Sequence, residues 1–333
     1  TMGAACDGQG RFGTDPGNTE ASMRFGITQM QLEGLVTSGM EPEAMLAYVA
    51  GYDPVGGARD LAAQGFDPIE LGVDLSLFFP RAFAPEAVER LGVLSREQGI
   101  GYTVHLPMWS VEPSSPLQPV RIGSVRAVVD AIKATAPLEP EVYVLHAMGS
   151  LAAEFARRRL PEVPYTLLMR IFQEQARQSL QTILAETGLP SRRLAIETIE
   201  FPFDLVLELA EEMDVSICLD VGHVLAGFAG PIGLFEALGA CLPRLGEIHL
   251  HDAPWQGEGG GRRLRHGEDH RPLGAGDLDV ARLLDCLTGG GFNGPVVFEL
   301  TVQEALDSLE LIRSLRPDVL PADWSTANTR AAS

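Results

Sequence analysis

From residue 23 onward, short runs of β-branched and apolar residues alternate with longer stretches whose apolar positions recur at helical spacing. This is the pattern of βα units feeding a parallel sheet. The strand-like runs are 24–29, 69–73, 102–106, 142–146, 194–198, 216–220, 246–251 and 295–300, and helical stretches between them include 85–97, 121–134, 165–186, 203–212, 278–287 and 303–314. Eight strands, each followed by a helix, predict an α/β fold that is a single (β/α)8 TIM barrel rather than an open sheet. Two connections, 107–119 and 254–274, are long for βα loops, and long loops of this kind belong to the functional rim of a barrel.

Length fits that reading. At about 150 residues per domain, 333 residues suggest roughly two domains, but one barrel with extensions accommodates them equally well. The expected organisation is a loose tail over 1–22, a barrel over 23–316 and a second tail over 317–333. No apolar run approaches the roughly 18 residues of a membrane span, and the first 22 residues lack the apolar stretch of a secretory signal. The four cysteines show no CxxC spacing, which points away from a zinc ribbon or redox pair and toward a reducing cytoplasm.

Charge narrows the partners. Asp and Glu number 45 against 25 Lys and Arg, a net charge of −20, and such a surface repels a polyanion. A small-molecule substrate is therefore expected, with no nucleic acid and no membrane as partner. Arg262, Arg263, Arg265 and His266 form a local basic exception, either a solvated loop or a contact for one anionic group.

The chemistry lies where polar residues end the apolar strands. Read to their carboxyl ends, the strands give Tyr-Thr-Val-His105, Tyr-Val-Leu-His146, Leu-Ala-Ile-Glu197, Ile-Cys-Leu-Asp220 followed by Val-Gly-His223, Glu-Ile-His249-Leu-His251, and Val-Val-Phe-Glu299. Each of these residues alone could be a hydrogen-bonded or salt-bridged structural group, and Asp220 could cap the next helix. Six of them at one end of a barrel would each cost several kcal/mol if buried without a partner. Neutral imidazoles mixed with carboxylates are the ligand set of Zn2+, Mn2+ or Fe2+, so a shared metal site is the economical explanation. Glu268, Asp269 and His270 add further donors on the long seventh loop. Glu70, Trp109, His251 and Arg271, with Phe78, Phe79 and Trp255, are candidates for the substrate side.

The strand-end set, with Asp220-Val-Gly-His223, His249-Leu-His-Asp252 and Asp269-His270-Arg-Pro-Leu-Gly-Ala-Gly, resembles the xylose isomerase-like barrel superfamily. That superfamily contains sugar-phosphate isomerases and epimerases and endonuclease IV. The resemblance runs over roughly residues 24–314 and implies His105, His146 and Glu197 at one metal, and Glu197, Asp220, His249 and Glu299 at a second. His223 with His270 and one of Glu268 or Asp269 would hold a third. Single-metal isomerases of the superfamily generally keep only the equivalents of Glu197, Asp220, His249 and Glu299, so the fuller set implies phosphoester chemistry. Within the superfamily, Tyr102-Thr-Val-His-Leu-Pro107, Val144-Leu-His146, Ile217-Cys-Leu-Asp-Val-Gly-His223 and Ile248-His-Leu-His251 are similar to the cobamide-remodelling phosphodiesterase family (CbiR). Its cytoplasmic members cut the nucleotide loop of B12-type cofactors. This resemblance implies a hydrolase with two or three divalent ions, Mn2+ or Zn2+, and a corrinoid substrate, with Glu197, Glu299 and His249 as catalytic candidates. The glycine- and arginine-rich stretch 256–266 is longer than that family pattern. The alternatives are a one-metal sugar (phosphate) isomerase or epimerase working through an enediolate, and a protein that only sequesters its ligand.

Overall fold

The structure, a computed structural model, describes residues 23–29, 41, 43, 52–158, 160–257 and 269–321. The expected tail 1–22, the basic cluster from Arg262 to His266, and Glu268 lie outside the described residues. Eight parallel strands close on one another in chain order: β1 (Arg24–Thr28), β2 (Ile69–Gly72), β3 (Tyr102–His105), β4 (Tyr143–Leu145), β5 (Leu194–Glu197), β6 (Ser216–Asp220), β7 (Leu245–Leu250) and β8 (Pro295–Phe298), the last pairing with β1. This is the single (β/α)8 TIM barrel that the alternating pattern predicts.

The outer layer comprises α1 (Pro54–Ala63), α2 (Pro85–Gln98), α3 (Gln118–Thr135), α4 (Ser150–Ala156), α5 (Glu162–Thr187), α6 (Phe203–Glu212), α7 (Val221–Leu225), α8 (Leu234–Cys241), α9 (Val280–Gly289) and α10 (Val302–Leu315). Their starts carry local signals: Asp53 caps α1 just ahead of Pro54, Asp279 caps α9, and Thr301 with Glu304 closes a capping box on α10. The main core fills the space between sheet and helices, with Leu91, Val128, Phe172, Val206, Leu283 and Ile312 all buried there. None of the described helices is long and apolar enough to cross a membrane. Past α10, a 3-10 turn spans Pro317–Val319, and Val319 and the following Leu320 are both buried.

Inside the barrel, alternation sorts the side chains. Val142, Val144, Ala195 and Cys218 form a small apolar cluster of their own, and the residues two further along β4, β5 and β6 are His146, Glu197 and Asp220. The opposite wall is polar, with Glu70, Thr103, Glu247 and His249 all fully buried. One irregularity tunes the register. Between β6 and β7 the pairing shifts at Ile217/Cys218, leaving Gly246 as an extra residue and setting Asp220 beside His249. Without that shift in pairing Asp220 would lie beside Ile248, which points to the other face.

Candidate metal centre

The strand-end residues converge. Of the seven histidines in the chain, six lie in groups whose ligand atoms are within 4.8 Å of one another. His105, His146 and Glu197 form one group, Glu197, Asp220 and His249 a second, and His223, His251 and His270 a third. Glu299 joins His249 and Glu70 in one group and Asp220 and His251 in another.

Neighbouring groups aim several of the imidazoles. His105 donates Nδ1–H to Leu106 O at 3.0 Å, which leaves Nε2 facing Glu197 Oε2 at 3.2 Å. His249 sits over Glu70, Nε2 to Oε2 at 3.2 Å, so Nδ1 looks toward Glu299 Oε1 at 3.4 Å and Glu197 Oε1 at 3.7 Å. Asp220 does cap α7, its Oδ1 accepting from His223 N at 2.6 Å, and it also faces His223 Nδ1 at 2.9 Å and His251 Nε2 at 3.0 Å. The capping and site readings of that residue are thus compatible. His270 bridges the loop carboxylates, Nδ1 to Asp269 Oδ1 at 3.3 Å and Nε2 to Glu299 Oε2 at 3.3 Å.

The groups fit a cation better than they fit each other. His146 Nε2, His223 Nδ1, His249 Nδ1 and Asp269 Oδ1 are buried yet have no aligned hydrogen bond, although carboxylates or imidazoles stand close by. Native interiors leave few such atoms unsatisfied. Lone pairs converging on a common volume are the donor set that a divalent ion of the Zn2+ or Mn2+ type takes.

Electrostatics follow the same layout. Burial disfavours the His105 cation, but Glu197 and Glu70 lift its pKa to about 9. For His270, burial again opposes while Asp269 and Glu299 raise it to about 10. Burial would raise the carboxylates, but His249 and His270 pull Glu299 down to about 2, and the surrounding imidazoles hold Glu197 and Asp220 well below the usual range. Glu247 is the exception. Burial and the neighbouring Glu70 push it well above the usual range, and its Oε1 accepts from Thr103 Oγ1 at 3.1 Å. Sequence reading passed over Glu247, although its period-two spacing from His249 and His251 marks it for the same face.

The loops that complete the rim are tied by backbone amides. Asp252, part of the His-Leu-His-Asp motif, is no ligand: its oxygens accept from the amides of Ala253 at 2.8 Å and of Gly274, Gly276 and Leu278 at 2.9 Å. A Cβ on Gly276 would lie 2.3 Å from Asp252 Oδ1, which accounts for the glycine. This knot anchors the segment that presents Asp269 and His270. On the opposite side, Asp74 Oδ2 accepts from Met108 N and Trp109 N, at 2.8 and 3.1 Å.

Several substrate-side expectations change. Glu70 and His251 are wholly buried, bound to His249 and Asp220, and so lie out of reach of a ligand in the mouth. Phe79 is buried and stacks on Tyr52, whereas Phe78 and Trp109 are half exposed and meet edge to face at 6.0 Å. Trp255 is exposed. Arg271 pairs through its backbone with Asp252 and donates from Nη1 to Ala275 O at 3.2 Å.

Comparison with known proteins gives a consistent picture of the fold. The sequence profile of a family described as xylose isomerase-like TIM barrel matches residues 58–316. An uncharacterized protein of Methanocaldococcus jannaschii is 23% identical over 299 residues, covering 87% of this chain and 88% of its own length. Among solved structures, a D-tagatose 3-epimerase-like protein superposes with a TM-score of 0.63 at 19% identity, over 89% of this chain and 98% of that one. Endonuclease IV from Thermus thermophilus gives 0.58 at 18% identity, over 88% and 98%. The 3-keto-D-glucoside 4-epimerase of E. coli gives 0.58 at 19%, over 88% and 99%. At these identities the likeness establishes the barrel alone.

Proposed function

The chain belongs to the xylose isomerase-like TIM barrel family, and from that premise we propose that its rim holds two or three divalent ions and hydrolyses a phosphoester, the nucleotide loop of a cobamide being the substrate. The observation that carries this reading is a surplus of donors. Glu197, Asp220 and His249, with Glu299 3.4 Å from His249, would serve one ion, yet His105 with His146 and His223 with His270 stand in further groups on either side. An isomerase needing one ion leaves those four imidazoles without a task. The choice of a corrinoid rests on the sequence resemblance around His105, His146, His223 and His249.

When bound, divalent ions supply Lewis-acid polarisation of phosphoryl oxygens and acidify water. The protein's residues supply the rest. Glu197 belongs to two groups and would fix the separation of their ions. Glu197 and His249 are almost fully buried, whereas the side chains of His146, Glu299 and His270 are 13%, 18% and 26% exposed and form the edge that a substrate meets. Glu299, partly exposed beside His249 and His270, would serve as an anionic ligand beside the phosphoester. No protein nucleophile is needed, and burial keeps the thiols of Cys218 and Cys241 neutral. The net charge of −20 disfavours a long polyanion as substrate.

The test is incubation of the Mn2+- or Zn2+-loaded protein with an adenosylated cobamide, beside ketoses, hydroxypyruvate and an abasic-site duplex. The expected result is release of a cobinamide-type product. Sugar interconversion with one ion per chain would establish the isomerase instead, tight retention of the corrinoid without turnover would mark a binding protein, and an untouched, unbound cobamide would remove the proposed substrate.

A further inference from the structure

We infer that His251 is itself a metal ligand, binding a divalent ion through Nε2 together with His223 and His270. The inference rests on the reading that the rim holds cations, and adds to it a residue for which sequence suggested only substrate contact. The Nδ1 of His251 lies against the backbone oxygen of Asp269. A carbonyl oxygen can only accept, so Nδ1 carries a hydrogen, and a metal-binding ring would keep its lone pair on Nε2. That nitrogen points at acceptors, Asp220 Oδ1 at 3.0 Å, Asp220 Oδ2 at 3.2 Å and Glu299 Oε2 at 3.8 Å. A ring nitrogen facing carboxylate oxygens in a buried site needs a proton or a metal ion between them, and the two further imidazoles beside it supply the rest of a metal's ligand set. With the ring 0% exposed, substrate cannot take the place of either.

The neighbouring imidazoles complete a cage. The ligand atoms of His223, His251 and His270 lie within 4.8 Å of one another. His251 stacks on His270 with ring centres 4.1 Å apart and 8° between planes, and meets His223 edge-on at 5.2 Å. Room for the ring is built into the Asp220-Val-Gly-His motif: a Cβ on Gly222 would stand 2.0 Å from His251 Nδ1. Asp269 serves this cage twice, its main chain holding His251 and its carboxylate reaching His223 Nε2 at 3.5 Å and His270 Nδ1 at 3.3 Å. Because Asp220 also belongs to the group with Glu197 and His249, it would link the three-imidazole ion to the central one.

Two measurements test this. In zinc-loaded crystals of the wild-type protein, anomalous diffraction should place an ion about 2.0–2.1 Å from His251 Nε2. In solution, His251→Gln should bind one ion per chain fewer, or bind it at least tenfold more weakly, while the ions at His105, His146 and Glu197 are retained. A wild-type protein that binds metal elsewhere on the rim with His251 Nε2 paired only to Asp220, or a His251→Gln protein with unchanged ion count and affinity, overturns the inference and leaves the proposed function standing. A wild-type protein that binds no divalent ion removes the function reading as well.

Discussion

Glu70 shows how one buried carboxylate decides what its neighbour can do. With Glu70 taking Nε2, the orphan nitrogen of His249 is Nδ1, the one aimed at Glu197 and Glu299. Glu70→Ala should strand Nε2 of His249 in the barrel, lowering stability by roughly 1–3 kcal/mol and metal affinity by about 10–100-fold. Glu70→Gln keeps an acceptor and should recover most of both, as read by thermal unfolding and metal titration. The pH response of the metal-free protein follows from the same residues. His105 and His270 have folded pKa values raised to about 9 and 10, so their contribution to stability is full below about 6.5 and is lost as pH rises through those values. Glu299, lowered to about 2, contributes above its unfolded value near 4.5 and loses its contribution as pH falls toward 2. Metal-free protein should therefore lose stability between about pH 6.5 and 10. Bound divalent ions, which favour deprotonated imidazoles, should flatten or reverse that slope in denaturant titrations. At this scale the sequence was legible where a polar residue ended an apolar strand, as at His105 or Asp220. It was less so for Glu70, Glu247 and His251, because alternation shows which face a residue occupies and not how deep it lies.

Among elements, the strands and most long helices were readable within a few residues, since each carries its own periodicity and caps. Phe203–Glu212 and Ser216–Asp220 match in full. The β6/β7 bulge was not readable, because Gly246 acquires its meaning only from the strand beside it. The Gly-rich stretch after His270 is a turn folded around the Asp252 carboxylate. Asp252→Ala should cost roughly 1–3 kcal/mol, because several amides lose their acceptor together. Hydrogen exchange should rise over 272–278 with little change in β3 to β6. If exchange rises equally throughout, the knot is not a local device and the loop is held by other contacts.

For the whole molecule, barrel closure joins residues that are remote in the chain. Thr103 and Glu247 meet across 144 positions, and His249 and Glu70 across 179. Convergence of this kind was inferred from strand count and is visible only in three dimensions. It also explains why a chain of net charge −20 can gather an anionic site: six imidazoles are interleaved with its carboxylates, and cations would complete the balance. Chelation should accordingly lower the melting temperature of the whole barrel, since the ligands come from β3 through β8 and their loops. The most direct measurement is the number of divalent ions per chain, by elemental mass spectrometry after loading and exhaustive dialysis at neutral pH. Two or three ions bear out a multinuclear rim. A single ion, or none retained, contradicts it.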